Sequence, residues 1–162
     1  LSAATESAEL GRGQTMASGL ADQLLDEISG LRYHALGVGP YQWPLGPAAN
    51  EGPTRASCDD MDDLHGYNAG AVDPYQIACG QDNGRGSLRG TAFRCRPSWI
   101  ERWRLAIEVY FVNEANPTQR LAAGQTSQMR VARVRVFADR PGGKTHTLAD
   151  VQRAFAYVAP GP

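Results

Sequence analysis

From Ser2 to Ser29 the chain holds no proline, and Leu10, Ala17, Leu20, Leu24, Ile28 and Leu31 follow one another in steps of three, four and seven. That spacing lays them on one stripe of an α-helix. Glu6, Glu9, Arg12, Gln14, Asp22, Gln23, Asp26 and Glu27 fall between them and suit a solvated face, and Gly30 offers a stop. A continuous helix here is about 40 Å long at 1.5 Å per residue, well above the usual length in globular domains. Its apolar stripe, with Leu10, Ala17, Leu20, Leu24 and Ile28 as the packing residues, needs a large partner surface.

The C-terminal third supplies one. In WRLAIEVYFVNE, Leu105, Ile107, Val109 and Phe111 alternate with Arg104, Ala106, Glu108 and Tyr110. This is the period of a half-buried strand. In MRVARVRVFAD, Ala132, Val134 and Val136 share one face while Arg133 and Arg135 take the other. A turn at Pro141-Gly142-Gly143 leads into a short strand, and VQRAFAYV, with Phe155 and Tyr157 on one side, reads as a last one. Short connections favour an antiparallel sheet. The expected class is therefore α+β: a long N-terminal helix over 1–31 packed on a C-terminal antiparallel sheet over 101–162, joined by a loop-rich region over 32–100. Turn chemistry fills that middle region: GVGPYQWPLGP, NEGP, AVDPY, GQDNGRG and CRPS.

With 162 residues the chain makes one domain, 1–162. A net charge of −1 provides no basic field for a nucleic-acid backbone. The three cysteines, Cys58, Cys79 and Cys95, form no C-x-x-C pair, which removes support for a zinc knuckle or a thioredoxin-type site. In an exported protein two of them pair, and the sequence leaves open which two. Cys79 with Cys95 is our choice, because both flank GQDNGRGSLRG and close a loop that contributes roughly 3 kcal/mol in the chain-entropy model. In a reducing cytosol all three are thiols.

CDDMDDLHGYN, residues 58–68, draws the eye first, with four carboxylates, a thiol and an imidazole. Carboxylates this close in sequence can converge on Ca²⁺ or another hard cation. The EF-hand pattern fails, however, lacking alternating acidic or amide positions, a Gly at the sixth and a Glu at the twelfth. We read Asp59, Asp60, Asp62, Asp63, His65 and Gly66 as a structural turn, in which one or two Asp side chains bond backbone N–H groups and the others face water. No metal or other cofactor is assigned.

Other sites fare no better. His34 and His146 stand apart in the sequence, and no G-x-S-x-G elbow supports a Ser-His-Asp triad. GRGSLRG lacks the Gly-Lys-Ser/Thr ending of a phosphate loop. Arg94, Arg96, Arg102 and Arg104 interleave with Phe93, Trp99 and Trp103. That mixture suits a stacking platform for single-stranded nucleic acid, but two Trp four apart more often pack onto a core.

Three segments carry a family resemblance. TMASGLADQLLDEI, residues 15–28, resembles the stretch that follows the hydrophobic N-terminal segment of minor pilins. DDMDDLHGY, residues 59–67, is similar to the Asp-Asp-x-Asp-Asp-aromatic-His-Gly pattern of minor pilins of the mannose-sensitive haemagglutinin type, with Leu64 in place of the aromatic residue. IEVYFV and then RVARVRVFADRPGGKTHTL resemble the strand, strand, Gly-turn, strand ending of the same group. Residues 33–57 and 69–98 fall outside the likeness. The resemblance implies a non-enzymatic structural subunit, a minor pilin or pseudopilin of a type IV pilus or a type II secretion pseudopilus. Its expected partners are other pilin or pseudopilin subunits. It also implies an inner-membrane anchor through a hydrophobic segment upstream of Leu1, a periplasmic domain, and later a periplasmic or extracellular filament. The chain starts inside its helix without a methionine, as a cut product would, and no apolar run reaches the ~20 residues of a transmembrane span. Two other classes stay open: a secreted module that binds a ligand or DNA through the Asp loop and the Arg-aromatic segment, and a hydrolase built from the middle loops.

Overall fold

The computed structural model describes residues 3–49, 51, 58–67, 103–139 and 142–159, with side chains from residue 10 onward. One helix, α1 (Ala3–Ser29), precedes four strands: β1 (Trp103–Asn113), β2 (Asn116–Arg120), β3 (Met129–Asp139) and β4 (Thr145–Ala156). They form one sheet in the order β2-β1-β3-β4. Arg104 near the start of β1 bonds Asp139 at the end of β3, and the Tyr157 N–H just past β4 donates to the Gln128 carbonyl just before β3. Both pairings run antiparallel, as does β1 with β2. The chain divides into two compact units, and α1, β1, β3 and β4 contribute segments to each.

In the first unit, residues 1–24, 68–106 and 134–151, the helix stripe is wide. Gly13, Ala17, Leu20, Ala21 and Leu24 are buried, and so are Trp103, Leu105, Val134, Val136, Leu148 and Ala149. A Cβ on Gly13 would stand 3.7 Å from the Trp103 ring, so the helix backbone comes close to β1 at this point. Leu10, expected within the buried stripe, is instead 36% exposed. The buried run starts one turn later, at Gly13. On the other sheet face the Arg104 guanidinium grips Asp139 through two bonds of 2.9 and 3.1 Å and lies over Phe137, and Thr145 donates to the same carboxylate. The Arg104 hydrogen bonds, followed by the one from Thr145, hold the Asp139 carboxyl below its ordinary range.

In the second unit, residues 25–67, 107–133 and 152–162, Leu25 and Ile28 continue the helix stripe. Ile107, Val109, Phe111, Val131, Ala132, Met61 and Leu64 are buried in the same unit. The helix ends where Gly30 and Leu31 donate back to Glu27 and Ile28. β2 was not anticipated. It follows a tight turn in which the Asn113 side chain accepts the Ala115 N–H, all five of its residues are exposed, and it contains Pro117. Proline is tolerated there because an edge strand has N–H groups that face solvent. The two final strands expected from the sequence are one, β4, twelve residues long. Within the loop-rich region, the described residues hold one 3-10 turn at Asp62–Leu64 and one isolated parallel bridge between Arg32 and Asp60.

Three glycines, Gly11, Gly13 and Gly19, weaken α1 locally, so burial of its stripe carries the helix. Gly19 is exposed with open space around it. Gly19→Ala is expected to raise unfolding free energy by about 0.5–1 kcal/mol. Leu24→Ala is expected to lower it by about 2–5 kcal/mol. Urea denaturation followed by circular dichroism checks both, and a Leu24→Ala loss under about 1 kcal/mol would contradict the assigned burial.

Candidate functional site

Along β3 the side chains of Arg130, Ala132, Val134 and Val136 share one parity, and that parity faces the core. Arg130 is 0% exposed. A guanidinium cannot shed its charge, so its burial requires acceptors on nearly every N–H. Nη1 donates to Asp62 Oδ1 at 3.0 Å and to the Tyr33 carbonyl at 2.5 Å, while Nη2 donates to the Pro40 carbonyl at 3.1 Å. The Tyr33 and Phe111 rings lie 4.5 and 4.9 Å from its centre. Only Nε finds no acceptor among the described residues.

The Asp-rich loop is built around this cation. Asp63 Oδ2 accepts the N–H groups of Asp59 and Asp60 at 2.8 and 3.2 Å, and Asp60 Oδ1 accepts the Asp62 N–H at 3.0 Å. These bonds fold the chain into the 3-10 turn that aims Asp62 at Arg130. Gly66, at φ 78°, then turns the chain so that its N–H reaches the Ile107 carbonyl, and the Ile107 N–H returns to Tyr67. His65 Nδ1 accepts the Val109 N–H at 3.2 Å, which places the ring proton on Nε2. Asp60 and Asp63 bond backbone N–H groups as expected of one or two of the aspartates, whereas Asp62, expected to face water, is buried against Arg130. Only Asp59 is exposed, where it pairs with Arg32. The Asp59 hydrogen bond raises the Arg32 guanidinium further above its ordinary value. Burial, then a side-chain hydrogen bond with Asp62 and the charges of Asp62 and Asp63, push the Asp60 carboxyl up to about 7.

Glu51, Asp59 and Asp63 bring carboxylate oxygens within 4.8 Å of one another. Each of these carboxylates has an oxygen bonded within the loop: Glu51 accepts the Ala48 N–H at 2.6 Å and its carboxyl meets that of Asp63, Asp59 pairs with Arg32, and Asp63 accepts two backbone N–H groups. The cluster works as internal bonding of a loop rather than as a cage of outward-facing ligands.

The remaining sequence candidates distribute as follows. Ala17, Leu20, Leu24 and Ile28 are buried. Trp103 is buried and Arg104 is committed to Asp139, while Phe93, Arg94, Arg96, Trp99 and Arg102 lie outside the described residues. Cys79 and Cys95 also lie outside them, and Cys58 is half-buried. His34 packs against the Tyr33 and Tyr157 rings, and His146 is exposed on β4. Sequence reasoning missed Arg130, Arg32, Tyr33 and Pro40 as members of the site. A signal existed for Arg130 alone, since it shares the parity of Ala132, Val134 and Val136. The chain matches no protein-family model, no curated protein and no solved structure.

Arg130→Met is expected to cost about 3–5 kcal/mol, because it strands Asp62 and two carbonyls without a donor. Arg130→Lys is not expected to restore the loss, since one ammonium cannot fork across three acceptors in different directions. Denaturant titration of both variants decides this, with a change under about 1 kcal/mol counting against the clamp. Millimolar Ca²⁺ is expected to leave the melting temperature unchanged, and a rise of several degrees would restore the cation reading.

Proposed function

We propose that this chain is the ectodomain of a minor pilin or pseudopilin, a structural subunit that works by assembling into a filament. The observation that carries the reading is the 27-residue helix leading into a four-stranded antiparallel sheet. A helix longer than the domain core needs keeps surface for neighbouring subunits, and the exposed Leu10 sits on its first half. The Asp motif shared with the minor pilins of the mannose-sensitive haemagglutinin type acts here as a loop clamp, and assembly requires no reaction chemistry from it. In this proposal a hydrophobic segment upstream of Leu1 anchors the subunit in the inner membrane, the domain faces the periplasm, and its partners are other pilin or pseudopilin subunits. No helix among the described residues is long and apolar enough to cross a membrane.

Leu10→Cys in the full-length gene product tests this. Expressed with its native assembly machinery, the protein is expected to fractionate with the inner membrane and to give oxidant-dependent cross-linked adducts in sheared filaments. Recovery of the full-length product entirely as an unanchored monomer, with no adduct, would reject the filament-subunit reading.

A further inference from the structure

Arg130 acts as a latch. Its two Nη groups hold the carbonyls of Tyr33 and Pro40 in one loop, and Nη1 is bonded to Asp62 as well. A second tie joins the same partners, because the Met61 N–H donates to the Arg32 carbonyl at 2.8 Å beside the Arg32–Asp60 bridge. Among the described residues the charge in this cluster does not balance. Asp60, Asp62 and Asp63 are buried carboxyls, and the one buried guanidinium, Arg130, is bonded to Asp62. Arg32 is more than a third exposed and is taken by Asp59. Asp63 spreads its charge over two backbone N–H groups, and Asp62 has Arg130. Among the described residues Asp60 has the Asp62 N–H as its hydrogen-bond donor, and it sits against the Asp62 carboxylate. Two like charges buried side by side are relieved when one takes a proton and donates it to the other.

We propose that one proton, held between the Asp60 and Asp62 carboxylates, is a working part of this latch, and that its loss loosens the hold on the loop from Tyr33 to Pro40. With the proton in place Asp60 donates to Asp62, and Asp62 directs its charge at Arg130. Without it Asp60 repels Asp62, and the 3-10 turn that aims Asp62 is strained. The loop so controlled presents Leu36 and Val38 to solvent, so the proton governs how firmly an apolar surface is held. The inference stands on the cluster alone and holds whether or not the chain is a filament subunit.

The direction follows from linkage. The folded state binds this proton more tightly than the unfolded chain, whose aspartates titrate near 3.9. The contribution is full below about pH 4 and is lost as pH rises through about 7. Of the other groups near Asp60, Arg32 pairs with Asp59, Arg130 with Asp62, the Glu51 carboxyl meets that of Asp63, and Tyr33 is raised by burial. His65 is turned to β1, where its Nδ1 accepts the Val109 N–H.

Asp60→Asn isolates the effect, because an amide keeps the acceptor for the Asp62 N–H and offers a permanent donor to the Asp62 carboxylate. Melting temperatures of both proteins from pH 4 to 8 are expected to diverge, with the variant gaining on the wild type up to about pH 7 and melting higher at pH 8. In the wild type, amide exchange from Tyr33 to Tyr41, corrected for its intrinsic pH dependence, is expected to speed up about tenfold or more over the same range. A constant offset between the two melting curves overturns the proposal. Should the variant not fold, carbon-13 titration of the wild-type carboxyls decides: an aspartate with a midpoint near 7 supports it, and midpoints all below about 5 reject it.

Discussion

A guanidinium with no access to water sits on the core face of a strand, and the surrounding chain is arranged to accommodate it. Arg130 needs acceptors, and they come from places far apart in sequence: a carboxylate at Asp62 and carbonyls at Tyr33 and Pro40. Each is held in position by other bonds. The 3-10 turn aims Asp62, the bridge between Arg32 and Asp60 brings the post-helix segment alongside, and the turn at Gly66 ties the loop to β1. Loop segments with no sustained period of their own thus acquire one conformation. Hydrophobic burial alone is non-directional and would not specify it.

Helix and sheet follow a different logic. α1 contains three glycines and gains little from intrinsic propensity, so it depends on the buried stripe from Gly13 to Ile28. β1 and β3 are the inner strands and show near-complete alternation of buried and half-buried positions. The outer strands show the reverse: β2 is exposed along its whole length, and most of β4 is not buried. Apolar periodicity weakens toward a sheet edge, where fewer side chains meet the core. That is why β2 has no sequence signal and why β4, whose alternation breaks at the buried pair Leu148–Ala149, reads as two short strands.

The Asp-rich loop shows how easily a structural cluster resembles a reactive one. Acid, base and ligand types crowd into a few residues, yet each aspartate has an oxygen engaged by a backbone N–H, by Arg130 or by Arg32. What remains distinctive is the proton on Asp60, which arises from charge imbalance in a buried site. Under the filament-subunit proposal the loop serves the fold, and the long helix serves the assembly.

The sequence by itself determined the parts whose information is local. The helix from Ala3 to Ser29, its buried positions Ala17, Leu20, Leu24 and Ile28, the inner strands β1 and β3, and the turn at the Asp motif can be read from periodicity and turn chemistry, whereas buried Ala21 and Leu25 and half-buried Leu31 cannot. Tertiary structure alone decided that Leu10 lies outside the buried stripe, that β2 pairs at the edge, and that Asp60, Asp62 and Asp63 are buried. It alone brought Tyr33 and Pro40 to Arg130. The reason is physical: a period of two or 3.6 residues is written in neighbouring side chains, whereas the acceptors of a buried cation are chosen by which distant segments fold against it. Arg130 belongs to both kinds, since its parity marked it for the core and only the folded chain supplied the oxygens that let it stay there.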